Sequence, residues 1–121
     1  ACLEDRQLAH LFEEATLAGL AVLVEVHDQA ELERALKLDI NLVGINNRDL
    51  HTFDTRLDTT IELLSQVPEG VTVVTESGFH NASDMRMMLE HAVSTFLIGE
   101  SFMREPSPGQ ALAIMMADAL A

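Results

Sequence analysis

The stretch Ala21–Val26, AVLVEV, decides the architecture. It is short, β-branched and nearly all apolar, which marks a strand buried on both faces. Its one polar residue, Glu25, shares a face with Leu23 and His27, opposite Val22, Val24 and Val26. Three later stretches read the same way: Leu42–Asn46 (LVGIN), Val71–Thr75 (VTVVT) and Thr95–Ile98 (TFLI).

Helical patterns separate these strands. The first is predicted over Glu4–Ala18, with Leu8, Leu11, Phe12, Ala15 and Ala18 on one stripe, Asp5 as cap and Gly19 as stop. Asp28 and Glu31 make a capping-box pattern for a helix over Glu31–Leu38. A longer loop, Asn47–Leu57, precedes a helix capped by Asp58, carrying Ile61, Leu64 and Val67 and broken at Pro68–Gly70. Asn81–Asp84 opens a helix with Met85, Met88, Leu89 and Ala92. Ser107 and Pro108 open the last, whose stripe is Leu112, Met115, Met116, Ala119 and Leu120.

One helix followed by four βα units implies an α/β fold with right-handed parallel crossovers. Two architectures fit: a small open doubly wound sheet, or half of an eight-stranded barrel, since a whole one needs about 250 residues and the chain has 121. Aromatic residues are 4% of the chain and there is no Trp or Tyr, so the core must come from Leu, Val, Ile, Ala and Met. A formal net charge of −13 disfavours nucleic acid and anionic membrane as partners. It leaves room for a phosphorylated small molecule gripped locally by backbone N–H groups. Cys2 is the only cysteine, which fits a reducing cytoplasm. No apolar run approaches the ~20 residues of a membrane span. The chain begins with Ala, which reads as a trimmed or partial sequence or as simple removal of Met.

Ligands of parallel α/β folds bind at the C-terminal ends of strands. All four predicted ends are polar or glycine-rich: Glu25-Val26-His27, Asn46-Asn47-Arg48-Asp49, Glu76-Ser77-Gly78 and Gly99-Glu100-Ser101. Glu25 reads either as a general acid/base or as an edge-strand charge that blocks aggregation. Arg48 offers a fork for carboxylate or phosphate, or pairs with a local acid, and Asn47 and Asp49 suit a turn. The glycines at 78 and 99 let backbone N–H groups approach a ligand after the last two strands, the usual phosphate site of a barrel. His27, His51, His80 and His91 lack metal spacing and are expected on the surface or in loops. Glu13, Glu14, Glu31 and Glu33 read as a solvated helix face, and the methionines as core filler.

Four motifs, VLVEVH (Val22–His27), GINNRDL (Gly44–Leu50), TESG (Thr75–Gly78) and FLIGES (Phe96–Ser101), together resemble indole-3-glycerol phosphate synthase, in that family's order and over almost the whole chain. The resemblance implies a (β/α)₈ TIM barrel, of which this chain would supply a half-barrel, strands five to eight, as a single domain over 1–121. Ala1-Cys2-Leu3 would be the tail of the fourth strand. It implies ring closure of 1-(2-carboxyphenylamino)-1-deoxyribulose 5-phosphate, with loss of carbon dioxide and water, and no cofactor or metal. Glu25 matches a catalytic glutamate, Asn46 an active-site asparagine, and Glu76 and Ser77 a polar catalytic pair. Arg48 matches an arginine near the substrate. Gly78, Gly99, Glu100 and Ser101 match the phosphate cradle.

Many relatives carry Ser where this chain has Glu100, so that side chain must point away from a bound phosphate. The family's principal general-acid lysine belongs to the third strand, and a further catalytic glutamate and a substrate-binding lysine lie near the first. Lys37, the only lysine here, is expected in a helix and is no substitute, so the isolated chain is expected to have little or no activity. Competing expectations are an assembly module that self-pairs or docks on a separate N-terminal half, and another phosphate-sugar barrel resembling a phosphoribosyl isomerase or thiazole synthase.

Overall fold

The computed structural model describes residues 2–121. Its elements run α1 (Asp5–Leu17), β1 (Val24–Val26), α2 (Gln29–Ala35), β2 (Leu42–Asn46), α3 (Asp58–Leu64), β3 (Thr72–Glu76), α4 (Ala82–Glu90), β4 (Phe96–Leu97), α5 (Glu100–Met103) and α6 (Pro108–Leu120). The four strands form one sheet in the order β1-β2-β3-β4, every pair parallel. Sequential order with crossovers of one hand places every helix on the same side. A doubly wound sheet reverses its strand order and takes helices on both faces, so the half-barrel expectation holds and the open-sheet alternative does not.

The covered face is the core. Val24, Val26, Val43 and Ile45 pack with Leu32 and Ala35 of α2 and Leu63 of α3, while Leu8 and Phe12 of α1 close over them. Phe79, Met88 and Val93 continue this layer, with Val73 and Phe96 packed against it. Met85, Met115 and Ala119 tie α4 to α6.

The opposite face carries Leu23, Glu25, Gly44, Asn46, Val74, Glu76 and Leu97, by the alternation of side chains and the strand register. Leu23 is 36% exposed and Leu97 52%. The expectation that β1 is buried on both faces is therefore corrected: Glu25 is exposed between two buried valines. No helix among the described residues packs on that side, which in a barrel is the interior.

The strands are shorter than expected at the sheet's edges. β1 pairs over three residues and β4 over two, because each has a neighbour on one side only. Several caps also differ. Glu4, not Asp5, caps α1, and its N–H donates to the Gln7 side chain at 3.1 Å. Asp5 instead meets Arg34 at 2.5 Å. Gly19, at φ +75°, ends the helix in a Schellman turn: its N–H donates to Thr16 O and that of Leu20 to Ala15 O. Asp58 is the first residue of α3 and not its cap. α2 stops at Ala35, leaving Lys37 exposed in the turn before β2. The short α5 was not expected. On α6, Leu112, Met116 and Leu120 are exposed, so only part of its apolar stripe is covered. Of the predicted tail of a preceding strand, Ala1 lies outside the described residues, and Cys2 and Leu3 are not in a strand. No helix among the described residues is long and apolar enough to cross a membrane.

Candidate active site

Register builds the site. Glu25 stands beside Gly44, and Asn46 stands beside Glu76. All three polar side chains leave adjacent strands on the open face, near the C-terminal ends. Asn46 Nδ2 donates to Glu25 Oε1 at 3.2 Å. Asn46 Oδ1 accepts the N–H of Arg48 at 3.0 Å, which fixes the amide's orientation.

Glu76 reaches back across β2. A Cβ built on Gly44 would lie 2.0 Å from Glu76 Oε1, so the carboxyl occupies the space a side chain at 44 would take. Glu76 is 4% exposed, and Oε1 is buried without a hydrogen-bond partner. Burial, then the negative charge of Glu25 and its hydrogen bond, push the Glu76 carboxyl from 4.5 up to about 7. Two carboxyls in contact cannot both ionise cheaply, and the more buried one keeps its proton longer.

Asn47, next in sequence, turns the other way. It is buried, and its amide donates to Thr75 Oγ1 at 3.0 Å and to Ser77 O at 3.1 Å. Its carbonyl accepts from Thr60 N at 3.1 Å and Thr60 Oγ1 at 2.8 Å. The residue expected to suit a turn instead locks β2, α3 and β3 together. Asp49 does serve a turn: its carboxylate accepts the N–H groups of His51 and Thr52, which hold it below its usual range.

Beside this cluster lies a cleft of about 190 Å³ lined by Arg48, Ser77, Gly78, Gly99, Glu100 and Ser101, among others. Ser77 and Gly78 both have positive φ, +67° and +89°. A Cβ at Gly78 would meet Thr55 Cγ2 at 2.5 Å, so the turn requires glycine. A Cβ at Gly99 would meet nothing within 4 Å; it would project into open space. The Ser101 hydroxyl donates to Phe79 O, and both residues line the cleft. Glu100 pairs with Arg48 at 2.6 Å and with Arg104 at 2.6 Å, and the Arg48 hydrogen bond leads in holding its carboxyl below the usual range.

The structure thus gathers Glu25, Asn46 and Glu76 into one cluster, and Arg48, Ser77, Gly78, Gly99, Glu100 and Ser101 around the adjoining cleft. Two residues have partners that sequence reasoning did not give them. His27 is in a loop, directly after β1, but its side chain is not at the surface: 15% of it is exposed, and it sits between Glu25, 3.2 Å from Nε2, and Glu31, 2.9 Å from Nδ1. Glu31 is not on a solvated face and does not close the capping box, because it accepts from His27 and not from Asp28. The available signal was the spacing of Glu25 and His27, two apart at the exit of β1. Lys37 lies after α2, at the opposite end of the sheet from the site. Among the described residues no group of three His, Cys, Asp or Glu is placed to hold a metal ion.

The fold has a counterpart in a chain of the Amycolatopsis orientalis BexX/CysO complex, with TM-score 0.70 at 20% identity, over 97% of this chain and 48% of that one. The sequence is more telling. Indole-3-glycerol phosphate synthase from Polaromonas naphthalenivorans (strain CJ2) is 53% identical over 113 residues, covering 93% of this chain and 43% of the relative. The enzyme of that name from Acinetobacter baumannii is 51% identical over 95% of this chain and 43% of its own. The chain thus spans less than half the length of these curated relatives. The family model described as indole-3-glycerol phosphate synthase matches residues 1–115. With parallel strands and sequence in agreement, the chain belongs to the indole-3-glycerol phosphate synthase family, a family of TIM barrels of which it covers a part.

Proposed function

We propose that the chain forms strands five to eight of a phosphate-binding barrel and serves the synthase reaction, closing the indole ring of 1-(2-carboxyphenylamino)-1-deoxyribulose 5-phosphate with loss of carbon dioxide and water. The observation that carries this is the Glu25–Asn46–Glu76 cluster at the ends of three adjacent parallel strands, with the glycine-lined cleft beside it. Glu76, pushed up to about 7, can both hold and release a proton near neutral pH. Glu25, oriented by Asn46, is the accepting carboxylate of the pair. The Ser77–Gly78 turn and the backbone at 99–101 suit a phosphate, and Arg48 suits an anionic group of the substrate. Ring closure also needs a proton donor at the ketone, and Lys37 is at the wrong end of the sheet. These residues therefore supply the base side and the phosphate grip, without a cofactor, in the cytoplasm.

Joining these 121 residues to the preceding portion of the Polaromonas enzyme tests the reading. The chimera is expected to turn over substrate, and Glu25→Gln or Glu76→Gln to lower kcat about 10²-fold or more. The 121 residues alone are expected to give little or no product. Full rate from a Glu25→Gln chimera, or turnover by the isolated chain, would contradict it.

Exposed Leu23 and Leu97 on the uncovered face favour a second role beside the first, as an assembly surface that meets another half-barrel, in the same chain or a second copy. Light scattering of the isolated chain is expected to show dimers or larger species; a clean monomer would remove self-pairing.

A further inference from the structure

The carboxylates of the site surround a histidine for which the proposed chemistry has no use. His27 leaves the sheet on the same face as Glu25, and Glu31 grips it twice with a single oxygen. Oε2 accepts the His27 backbone N–H at 2.9 Å and lies 2.9 Å from Nδ1. Against the upward pull of burial, the bond to the His27 ring leads the contributions that keep the Glu31 carboxyl below its usual value, so it is an ionised acceptor and Nδ1 carries the proton. The ring is then fixed with Nε2 buried and 3.2 Å from Glu25 Oε1, within ion-pair distance but out of line for a hydrogen bond. Asn46 donates to that same oxygen. Among the described residues, the charged groups facing His27 are Glu25 from β1, Glu31 from α2, Asp49 from the loop after β2 and Glu76 from β3, all of them acidic.

With Nδ1 protonated, an Nε2 lone pair would repel the Glu25 oxygen. With both ring nitrogens protonated the same 3.2 Å approach is an ion pair, which needs no in-line hydrogen bond. We propose that His27 is a positioning residue: clamped by Glu31, it sets its Nε2 against Glu25 Oε1 and, together with Asn46, holds that carboxyl against Glu76. This rests on the reading of Glu25 as the acid–base group and adds the residue that sets its place.

The test is NMR on the full chain with ¹⁵N-labelled histidine rings, without substrate. The His27 ring is expected to show one fixed form protonated at Nδ1, and its Nε2 signal to shift on Glu25→Gln. Glu31→Ala is expected to release the ring into averaged tautomers. In a ¹³C titration, His27→Gln is expected to raise the Glu76 midpoint above about 7, since the charge of His27 acts to lower it. A purely structural histidine would leave the Glu76 midpoint unmoved. Averaged tautomers in the parent chain, or an Nε2 signal indifferent to Glu25→Gln, would overturn the proposal. If His27→Gln unfolds, the parent and Glu25→Gln spectra still decide. An inactive chimera would sink the synthase reading and leave these signatures intact, so the two failures are distinguishable.

Discussion

Asn46 and Asn47 are neighbours in sequence with opposite surroundings. Asn47 faces the helices, where every hydrogen-bonding atom of its side chain is used by Thr60, Thr75 or Ser77. Asn46 faces the uncovered side, where it steadies Glu25. The next strand repeats the contrast: Thr75 joins the satisfied network, while Glu76 keeps an unpartnered oxygen. A buried polar network with every member satisfied stabilises and specifies a fold. A buried carboxyl left short of partners costs stability and is characteristic of a working site. One face of this sheet spends its polar groups on holding still, and the other keeps them ready.

The sharpest way to break this contrast is to truncate both asparagines. Asn47→Ala is expected to cost about 2–4 kcal/mol in urea unfolding, because it strands the buried donors of Thr60. Asn46→Ala is expected to cost under about 1 kcal/mol. Equal losses would mean that the two faces do not differ as described.

The second test uses pH. Glu76 titrates higher in the folded chain than in the unfolded one, about 7 against 4.5, so the folded state binds the extra proton between those values. Its contribution is fully present below the unfolded value and is lost as pH rises through about 7. Glu76→Gln, which mimics the neutral acid, should flatten that part of the profile and stabilise the chain at pH 8 by on the order of 1–3 kcal/mol. Thermal unfolding from pH 4.5 to 8.5 checks this, and an unchanged slope would show that Glu76 is ionised throughout.

The smallest expected effect on the fold, and the most selective for the site, is Gly44→Ala. The new Cβ displaces the far end of one side chain, Glu76, and no backbone atom. The Glu76 midpoint should fall from about 7 toward the ordinary carboxylate range while Tm changes little, as a ¹³C titration beside a melting curve would show.

How much was legible in the sequence follows from how local each signal is. β2, Leu42–Asn46, was read to the residue, since it has a strand on each side and polar residues at its exit. β4 shrank to two residues because pairing, and not composition, sets strand length at an edge. Glu25, Asn46 and Glu76 were readable as polar breaks at the ends of apolar runs. Asn47 was not, because its partners lie 13 and 28 residues away. His27 was missed because Glu31, expected to cap its own helix, turns back to it.

The Asn47 network has a consequence for assembly. Side chains alternate across a strand, so pairing β2 one residue out of step would swap the two faces. Asn46 would then enter the hydrocarbon layer, and Gly44 would no longer open beneath Glu76. Such a slip would also tear Asn47 from Thr60 and Thr75, a heavy penalty on the covered side for an error that matters on the other. The core asparagine thereby proofreads the alignment of the site, although it faces away from the cleft.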